Sequence, residues 1–454
     1  MTRTLGALAA AVGGRLQGAD ATFNAVSIDT RTLGAGDLFV ALPGERVDGH
    51  DYVPAAGRAG AAGALVTRPI ETPLPQVVVD DAAAALANGA ARWRTQFSVP
   101  LIGVAGSNGK TTVKEMIAAI LGQGGPCLAT RGNLNNHLGV PLTLWRLDAT
   151  YRSAVIEMGA NHRGDVAALA VLAVPQIGVV TNAGAEHLEG FGSLEGAARA
   201  EGEMVEALPP SGTAVINADD AFAALWIGLT RARVHRFGMG DVEFSAHDIR
   251  TDIGAEGFRT QFQLRSPLGT TPIELALAGR HNVCNALAAA AAATAAGATL
   301  AQVRSGLAAM RAVAGRMQFR LTAAGAWLID DSYNANPSSA EAAIAVLAEL
   351  SGRRWLVLGD MAELGDFAAA SHRDIGALAR RRGIERLYAF GSLAALAAES
   401  FGAGAETYTD AQALARALTA ALTPEVRLLI KGSRVNRLER VVNALLVPGT
   451  RQAG

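Results

Sequence analysis

The chain is nearly free of cysteine. It has two in 454 residues, Cys127 and Cys284, far apart in sequence. Such a pair supports neither a disulfide framework nor a cysteine-based metal site, and two reduced thiols in a cytosolic protein is the reading that follows. An excess of positive charge is also missing. Forty Lys and Arg against 41 Asp and Glu leave a formal net charge of -1. That argues against a sequence-independent nucleic-acid binder but leaves room for local phosphate sites. No run approaches 18 strongly apolar residues, so no stable membrane insertion is expected. The stretch "NALAAAAAATAAGATL" is mostly alanine and reads as a packed helix. The start, "MTRTLGALAAAVGGRL", has only Arg3 ahead of its short apolar run. Leu5, Leu8, Ala9 and Val12 fall at helical spacing, which fits an ordinary first helix better than a signal peptide. There is no repeat of 20–50 residues and no long linker.

What remains is ample apolar material. Half the residues are hydrophobic and 18% are charged, enough for several cores. Short apolar runs ending in polar residues recur along the chain. "DLFVAL" (37–42), "GALVT" (63–67) and "QVVVDD" (76–81) read as strands of a first α/β unit, residues 1–97. "LIGVA" (101–105), "SAVIEMG" (153–159), "IGVVTNAG" (177–184) and "GTAVINADD" (212–220) read as parallel strands of a second unit, 98–314. In a parallel sheet, ligands bind at such C-terminal strand ends. Residues 241–280 alternate polar and apolar and read as antiparallel strands. A third unit, 315–454, contains "WLIDDSYNANPSS", "RRWLVLGDMAELG", "RLYAFGS" and "VRLLIKGSR".

"LIGVAGSNGKTTVKEMIAAIL" carries the strongest chemical signal. A strand enters a turn with Gly106, Ser107, Asn108 and Gly109, then Lys110, Thr111, Thr112 and a helix. Glycines let backbone N–H groups curl round phosphate oxygens, and the helix N-terminus favours negative charge. Lys110 would reach the β- and γ-phosphates, and the Thr111 hydroxyl would take Mg2+. The strict G-x4-GK[ST] spacing is absent, because Val104 stands at its first position. Glu157 and His187 each follow an apolar strand beyond this loop. The carboxylate suits Mg2+, whereas a histidine alone would more often be structural.

The ordered set "SIDTRTLGAGDLFVAL", "GSNGKTTVKEM", "GNLNNHLGVPLTL", "EMGANHRGD", "AEHLEGFGSLEG", "AGRHNVCNALAA", "DDSYNANPSS", "LGDMAELG" and "KGSR" runs nearly end to end and resembles the Mur ligases. The resemblance implies a three-domain α/β protein. Its central P-loop-type ATP-binding domain would have a mostly parallel sheet with a smaller antiparallel portion, and its C-terminal domain would be Rossmann-like. It implies a cytoplasmic, monomeric ATP-dependent ligase of peptidoglycan precursor synthesis. "DSYNANPSS" with "GDMAELG" favours the branch that joins D-alanyl-D-alanine to UDP-MurNAc-tripeptide through an acyl phosphate. Another acceptor within the superfamily, such as diaminopimelate or glutamate, is the alternative, and a non-catalytic nucleotide-binding relative is the other.

Carried over residue by residue, the resemblance places Ser27, Asp29, Thr30 and Arg31 at the UDP end of the precursor. Lys110 would bind phosphate, and Thr111, Glu157 and His187 would surround Mg2+. Asn282 would lie at the adenine. Arg316 would approach the phosphates, with Asp331, Tyr333 and Asn334 about the nucleoside and the transferred phosphate. Asn135 and Asn136 would meet the peptide. Lys431, Ser433 and Arg434 would be substrate-side contacts, and Asp360 and Glu363 would either orient the dipeptide or cap loops. Family members often carry a carbamylated lysine where "ARAEGE" offers Glu201, so Glu201 is expected either to supply that negative charge to a metal or to be a solvated helix residue. Glu203, on another helix face, is the weaker candidate.

Overall fold

The protein is described here from a computed structural model covering residues 2–44, 47–186, 188–254 and 257–447. Its strands form three sheets. The first contains β1 (Arg15–Gln17), β2 (Val26–Ser27), β3 (Leu38–Val40), β4 (Gly63–Val66) and β5 (Gln76–Val78), in the order β1-β5-β4-β3-β2. Only the β1–β5 pairing is antiparallel. The runs expected at 37–42, 63–67 and 76–81 form β3, β4 and β5, each shorter than the apolar run that contains it. The helix expected at the start is Leu5–Val12. The Thr4 side chain caps its N-terminus and Gly13, in the left-handed region, ends it.

The second sheet contains β6 (Leu101–Ala105), β7 (Cys127–Ala129), β8 (Ser153–Glu157), β9 (Ile177–Val180), β10 (Thr213–Asn217), β11 (Arg233–Gly238), β12 (Phe244–Gly254), β13 (Gly257–Ser266) and β14 (Gly269–Leu275). Their order is β14-β13-β12-β11-β10-β9-β6-β8-β7. Strands β7 to β12 and β6 pair in parallel, and β12, β13 and β14 pair antiparallel. Both portions expected from the sequence are therefore present. Strands β8 and β9 flank β6 on opposite sides. The chain changes direction there, and this opens a crevice beyond the carboxyl ends of these strands. The alanine-rich segment is the helix Arg280–Ala295, whose residues Ala288 to Ala293 are fully buried against the sheet and the helix Lys110–Leu121. No helix among the described residues is long and apolar enough to cross a membrane.

The third sheet contains β15 (Gln318–Leu321), β16 (Trp327–Asp331), β17 (Arg353–Gly359), β18 (Arg386–Phe390), β19 (Ala405–Tyr408) and β20 (Val426–Lys431). It is ordered β15-β16-β20-β17-β18-β19 and is parallel except at β15. Apolar clusters cover both of its faces. One of them takes in Phe258 of β13, whose ring meets Phe319 of β15 edge-on at 6.1 Å.

Candidate active site

The phosphate-loop turn is built by necessity from glycine. Gly106 has φ +123°, and a Cβ there would lie 2.1 Å from the Thr181 Oγ1. Gly109, at φ +84°, caps the helix Lys110–Leu121, and its Cβ would come within 2.5 Å of the Asn285 Oδ1. The loop is tied to the end of β9. Ser107 N–H donates to the Asn182 carbonyl, Asn108 N–H donates to Asn182 Oδ1 at 2.9 Å, and the Thr181 hydroxyl donates to the Asn108 carbonyl at 2.6 Å.

Beyond this loop lies a cavity of about 620 Å³, lined from both the second and the third domain. Seventeen of the residues singled out in the sequence line it. From the second domain they are Ser107, Asn108, Gly109, Lys110, Thr111, Thr112, Asn135, Asn136, Glu157 and Asn282. From the third they are Arg316, Asp331, Tyr333, Asn334, Glu363, Lys431 and Arg434. The Arg316 guanidinium lies 4.5 Å from the centre of the Tyr333 ring, which holds this long side chain toward the cavity. Lys431, nearly buried, donates to Asp331 Oδ2 at 2.6 Å and to the Asn334 carbonyl at 2.9 Å. Burial lowers the pKa of His281, which also lines the cavity. Asp331 opposes that shift and Lys431 adds to it, so the imidazole is held neutral. Glu363 adopts φ +65°, a conformation a non-glycine residue rarely takes.

Lys110 is folded back on its own loop. Its ammonium donates to the carbonyls of Gly106 and Ser107 and to Glu186 Oε1 at 3.1 Å. Desolvation opposes its charge, but Glu186, Glu201 and Glu157 together outweigh that and raise its pKa. Glu157 ends β8 with its backbone N–H donating to the Thr130 hydroxyl. Its Oε1 accepts from Asn135 at 2.9 Å, and its Oε2 is buried without a hydrogen-bond partner.

The remaining singled-out residues are placed elsewhere. Gly106 shapes the turn without lining the cavity. Glu201 is not a solvated helix residue. It is wholly buried beneath the loop, off the cavity wall, with Oε2 accepting from Gly106 N–H at 2.6 Å and Oε1 unpartnered. Burial, opposed by Lys110, pushes its pKa up to about 7. Glu203 caps the helix Asp165–Ala173 through the N–H groups of Gly164 and Ala167, a structural task. Asp360 accepts from Ala394 N–H at 2.7 Å and so caps the helix Ala394–Phe401; it does not line the cavity. Ser433 is likewise turned inward, accepting from Ala362 N–H and donating to the Ala335 carbonyl. Ser27 ends β2, and Asp29, Thr30 and Arg31 turn just after it, outside the cavity lining. There the exposed Arg31 pairs with Asp29 at 2.6 Å and lowers the carboxyl pKa to about 2. His187 lies outside the described residues. Among those residues, no three His, Cys, Asp or Glu side chains gather as a ready-made metal cage. Both cysteines are free, and burial pushes each thiol's pKa up to about 11.

Sequence reasoning assigned no role to Glu186, Asn336 or Ser338. Asn336 Nδ2 donates to Asn108 Oδ1 at 2.8 Å and to Glu186 Oε2 at 3.3 Å, and Asn108 Nδ2 donates to the Ser338 hydroxyl at 3.0 Å. These bonds fasten the third domain to the phosphate loop. One signal was available locally: Asn336-Pro337 is a helix-start pair, and Asn336 does cap the helix Pro337–Glu349.

Comparison with known proteins agrees with this geometry. Residues 22–94 match the Mur ligase family catalytic domain, 104–293 the Mur ligase middle domain, and 315–434 the Mur ligase glutamate ligase domain. A UDP-N-acetylmuramoyl-tripeptide--D-alanyl-D-alanine ligase of Escherichia coli (strain K12) is 45% identical, over 98% of this chain and 99% of that protein. A ligase of the same name from Mycobacterium bovis is 37% identical over 94% of this chain and 92% of its own. The crystal structure of MurF from Acinetobacter baumannii superposes with a TM-score of 0.90 at 33% identity, covering 98% of this chain and 99% of that one. MurF ligase from Thermotoga maritima, solved in complex with ADP, gives 0.81 at 25% identity, covering 93% and 97%. With three matched domains in order and relatives aligned over nearly its whole length, the chain belongs to the Mur ligase family.

Proposed function

We propose that this chain is an ATP-dependent ligase that joins D-alanyl-D-alanine, through its amine, to the terminal carboxylate of UDP-MurNAc-tripeptide. The observation that carries the reading is the convergence of Lys110 with Arg316, Asp331 and Lys431 on one cavity between two domains. The names of the curated relatives and the ADP-bound neighbour support the choice of substrate and nucleotide. In this reading residues 1–97 bind the UDP precursor through the turn Ser27–Arg31, residues 98–314 bind ATP, and residues 315–454 close over it. The enzyme works as a cytoplasmic monomer.

A carboxylate is a poor acyl donor to an amine because it has no leaving group, and ATP solves this by phosphorylation. A carboxylate oxygen of the tripeptide attacks the γ-phosphorus, the bond to the β,γ-bridging oxygen breaks, and ADP is released from the acyl phosphate. The dipeptide amine then attacks the acyl carbon, phosphate leaves, and the nitrogen loses a proton. Such transfer needs positioning and neutralisation of spread negative charge more than covalent help. Lys110 turns from its own loop carbonyls to the phosphates, and Arg316, held on Tyr333, brings a second cation from the third domain. Asn282 lies at the adenine, with Asp331, Tyr333 and Asn334 about the nucleoside. Asn135, Asn136, Glu363, Lys431 and Arg434 face the peptide substrates. Asn108, Asn336 and Ser338 keep the domains together, which excludes the water that would hydrolyse an acyl phosphate.

Magnesium fits the residues present. The buried, unpartnered Glu157 Oε2, on the cavity wall, is the kind of hard oxygen donor that Mg2+ prefers. Thr111, Glu157 and His187 are the residues the family resemblance assigns to it, and Glu201 stands where family members often carry a carbamylated lysine. When bound, it neutralises phosphate charge.

The test is phosphate release by the purified chain with ATP, Mg2+ and UDP-MurNAc-tripeptide. Release should depend on D-alanyl-D-alanine. Release driven by diaminopimelate or glutamate instead would overturn the choice of acceptor.

A further inference from the structure

Glu186 is the carboxylate for which neither the loop chemistry nor the family resemblance finds a use. It is 8% exposed, and both of its oxygens are engaged: Oε1 by Lys110 at 3.1 Å and Oε2 by Asn336 of the third domain at 3.3 Å. Unlike Glu201, it lines the cavity. Three carboxylates, Glu157, Glu186 and Glu201, act on the single ammonium of Lys110. Glu157 is 2% exposed, lines the same cavity and carries an unpartnered Oε2. Lys110 thus stands where several acidic oxygens call for a cation.

On the reading proposed above, Lys110 must leave this position to meet the nucleotide phosphates. Glu186 then loses its cation beside a highly charged anion, in a site too buried for water to screen the repulsion. A divalent cation with oxygen ligands is the replacement the chemistry favours. Glu201 is poorly placed for that exchange, because it lies off the cavity wall and the Gly106 N–H holds one of its oxygens.

We propose that Glu186 is the cation-exchange residue of this site, paired with Lys110 before nucleotide binds and with the nucleotide's divalent cation afterwards. Asn336 fixes its second oxygen when the third domain is closed. Glu186 then performs, from the cavity wall, the task that the family resemblance assigns to the position of Glu201.

The test uses the full chain, Mn2+ as a paramagnetic probe and a non-hydrolysable ATP analogue, with free and bound Mn2+ measured by electron paramagnetic resonance. Glu186→Gln should weaken nucleotide-dependent Mn2+ binding at least roughly ten-fold. Glu186→Asp, which keeps the charge, should retain most of it, and Glu201→Gln should change it less than Glu186→Gln does. Equal Mn2+ affinity in wild type and Glu186→Gln, with melting temperatures matched, would overturn the proposal. So would a larger loss in Glu201→Gln. Failure of the wild type to bind the nucleotide analogue by calorimetry would instead overturn the functional reading beneath it.

Discussion

The molecule has two interdomain contacts of opposite character. Between the first and second domains runs one continuous apolar core, from Leu5 and Leu65 through Leu101 to Ile156 and Met204. Aromatic rings tie it together. Trp93 stacks on Trp145 at 5.9 Å, Phe23 meets Trp145 edge-on at 5.6 Å, and the Arg3 guanidinium lies 4.4 Å from the centre of the Trp93 ring. Buried Arg94 crosses the boundary to the Ala173 carbonyl at 3.0 Å. Between the second and third domains, at the active site, the contacts are polar: Asn108, Glu186, Asn336 and Ser338. The apolar part of that second boundary is set apart, where Phe258 meets Phe319. Burying aromatic surface makes a lasting union, whereas amide and carboxylate bonds exchange readily with water or phosphate. The first two domains therefore share one core, whereas the third meets the second at the active site through polar bonds that can exchange.

The largest effect should come from breaking the apolar boundary. Trp145→Ala removes a fully buried ring from a shared core and should cost about 3–5 kcal/mol. Urea unfolding should show the first and second domains losing stability together. Separate melting of residues 1–97, with the second domain unchanged, would separate what the comparison joins.

Lys110→Ala should leave both boundaries folded and slow phosphate release by about 10²–10³. Near-normal turnover in a folded variant would misplace the ATP site.

Charge gives a third lever, because Glu201 is buried beneath the phosphate loop that the third domain contacts. The Glu201 carboxyl has its pKa raised to about 7 against an ordinary 4.5. The folded state thus binds its proton more tightly than the unfolded one. Its stabilising contribution is complete below about pH 4.5 and is lost as pH rises through 7. In metal-free buffer, Glu201→Gln should flatten the fall in stability across that window, by about 1–3 kcal/mol between its ends. Parallel curves for wild type and variant would show that Glu201 does not titrate there.

Asn108→Ala is the mildest change. Among the described residues its side-chain amide bonds to the third domain, so overall stability should hold while the closed arrangement weakens by about 1 kcal/mol, several-fold in population. Scattering in the presence of ligands reports it as a larger mean radius.

The parts of this molecule that can be read from its sequence are local ones. Apolar runs ending in polar residues marked most of the long parallel strands, and the glycines of the phosphate loop announced their turn. Strands β1 and β2 gave no such signal, since "RLQ" and "VS" are too short to show alternation. Non-local contacts were hidden for a different reason. Asn336 reads as a helix cap from its neighbours alone, but its bond to Glu186 joins residues 150 positions apart. The inward turn of Glu201 depends on which helix face packs under the loop, and Asp360 became a cap only because β17 ends beside the helix Ala394–Phe401. The candidate site was recognisable as a set of residue types in order, but not as a division between cavity wall and supporting shell.

The most direct test places one pair of spin labels across each boundary and measures both distances with and without Mg2+, a non-hydrolysable ATP analogue and UDP-MurNAc-tripeptide. The distance between the first and second domains should stay the same under all conditions. The distance between the second and third should narrow to a single short value when the ligands are bound. A shift across the first boundary, or an unchanged distribution across the second at saturating ligand, would contradict the account.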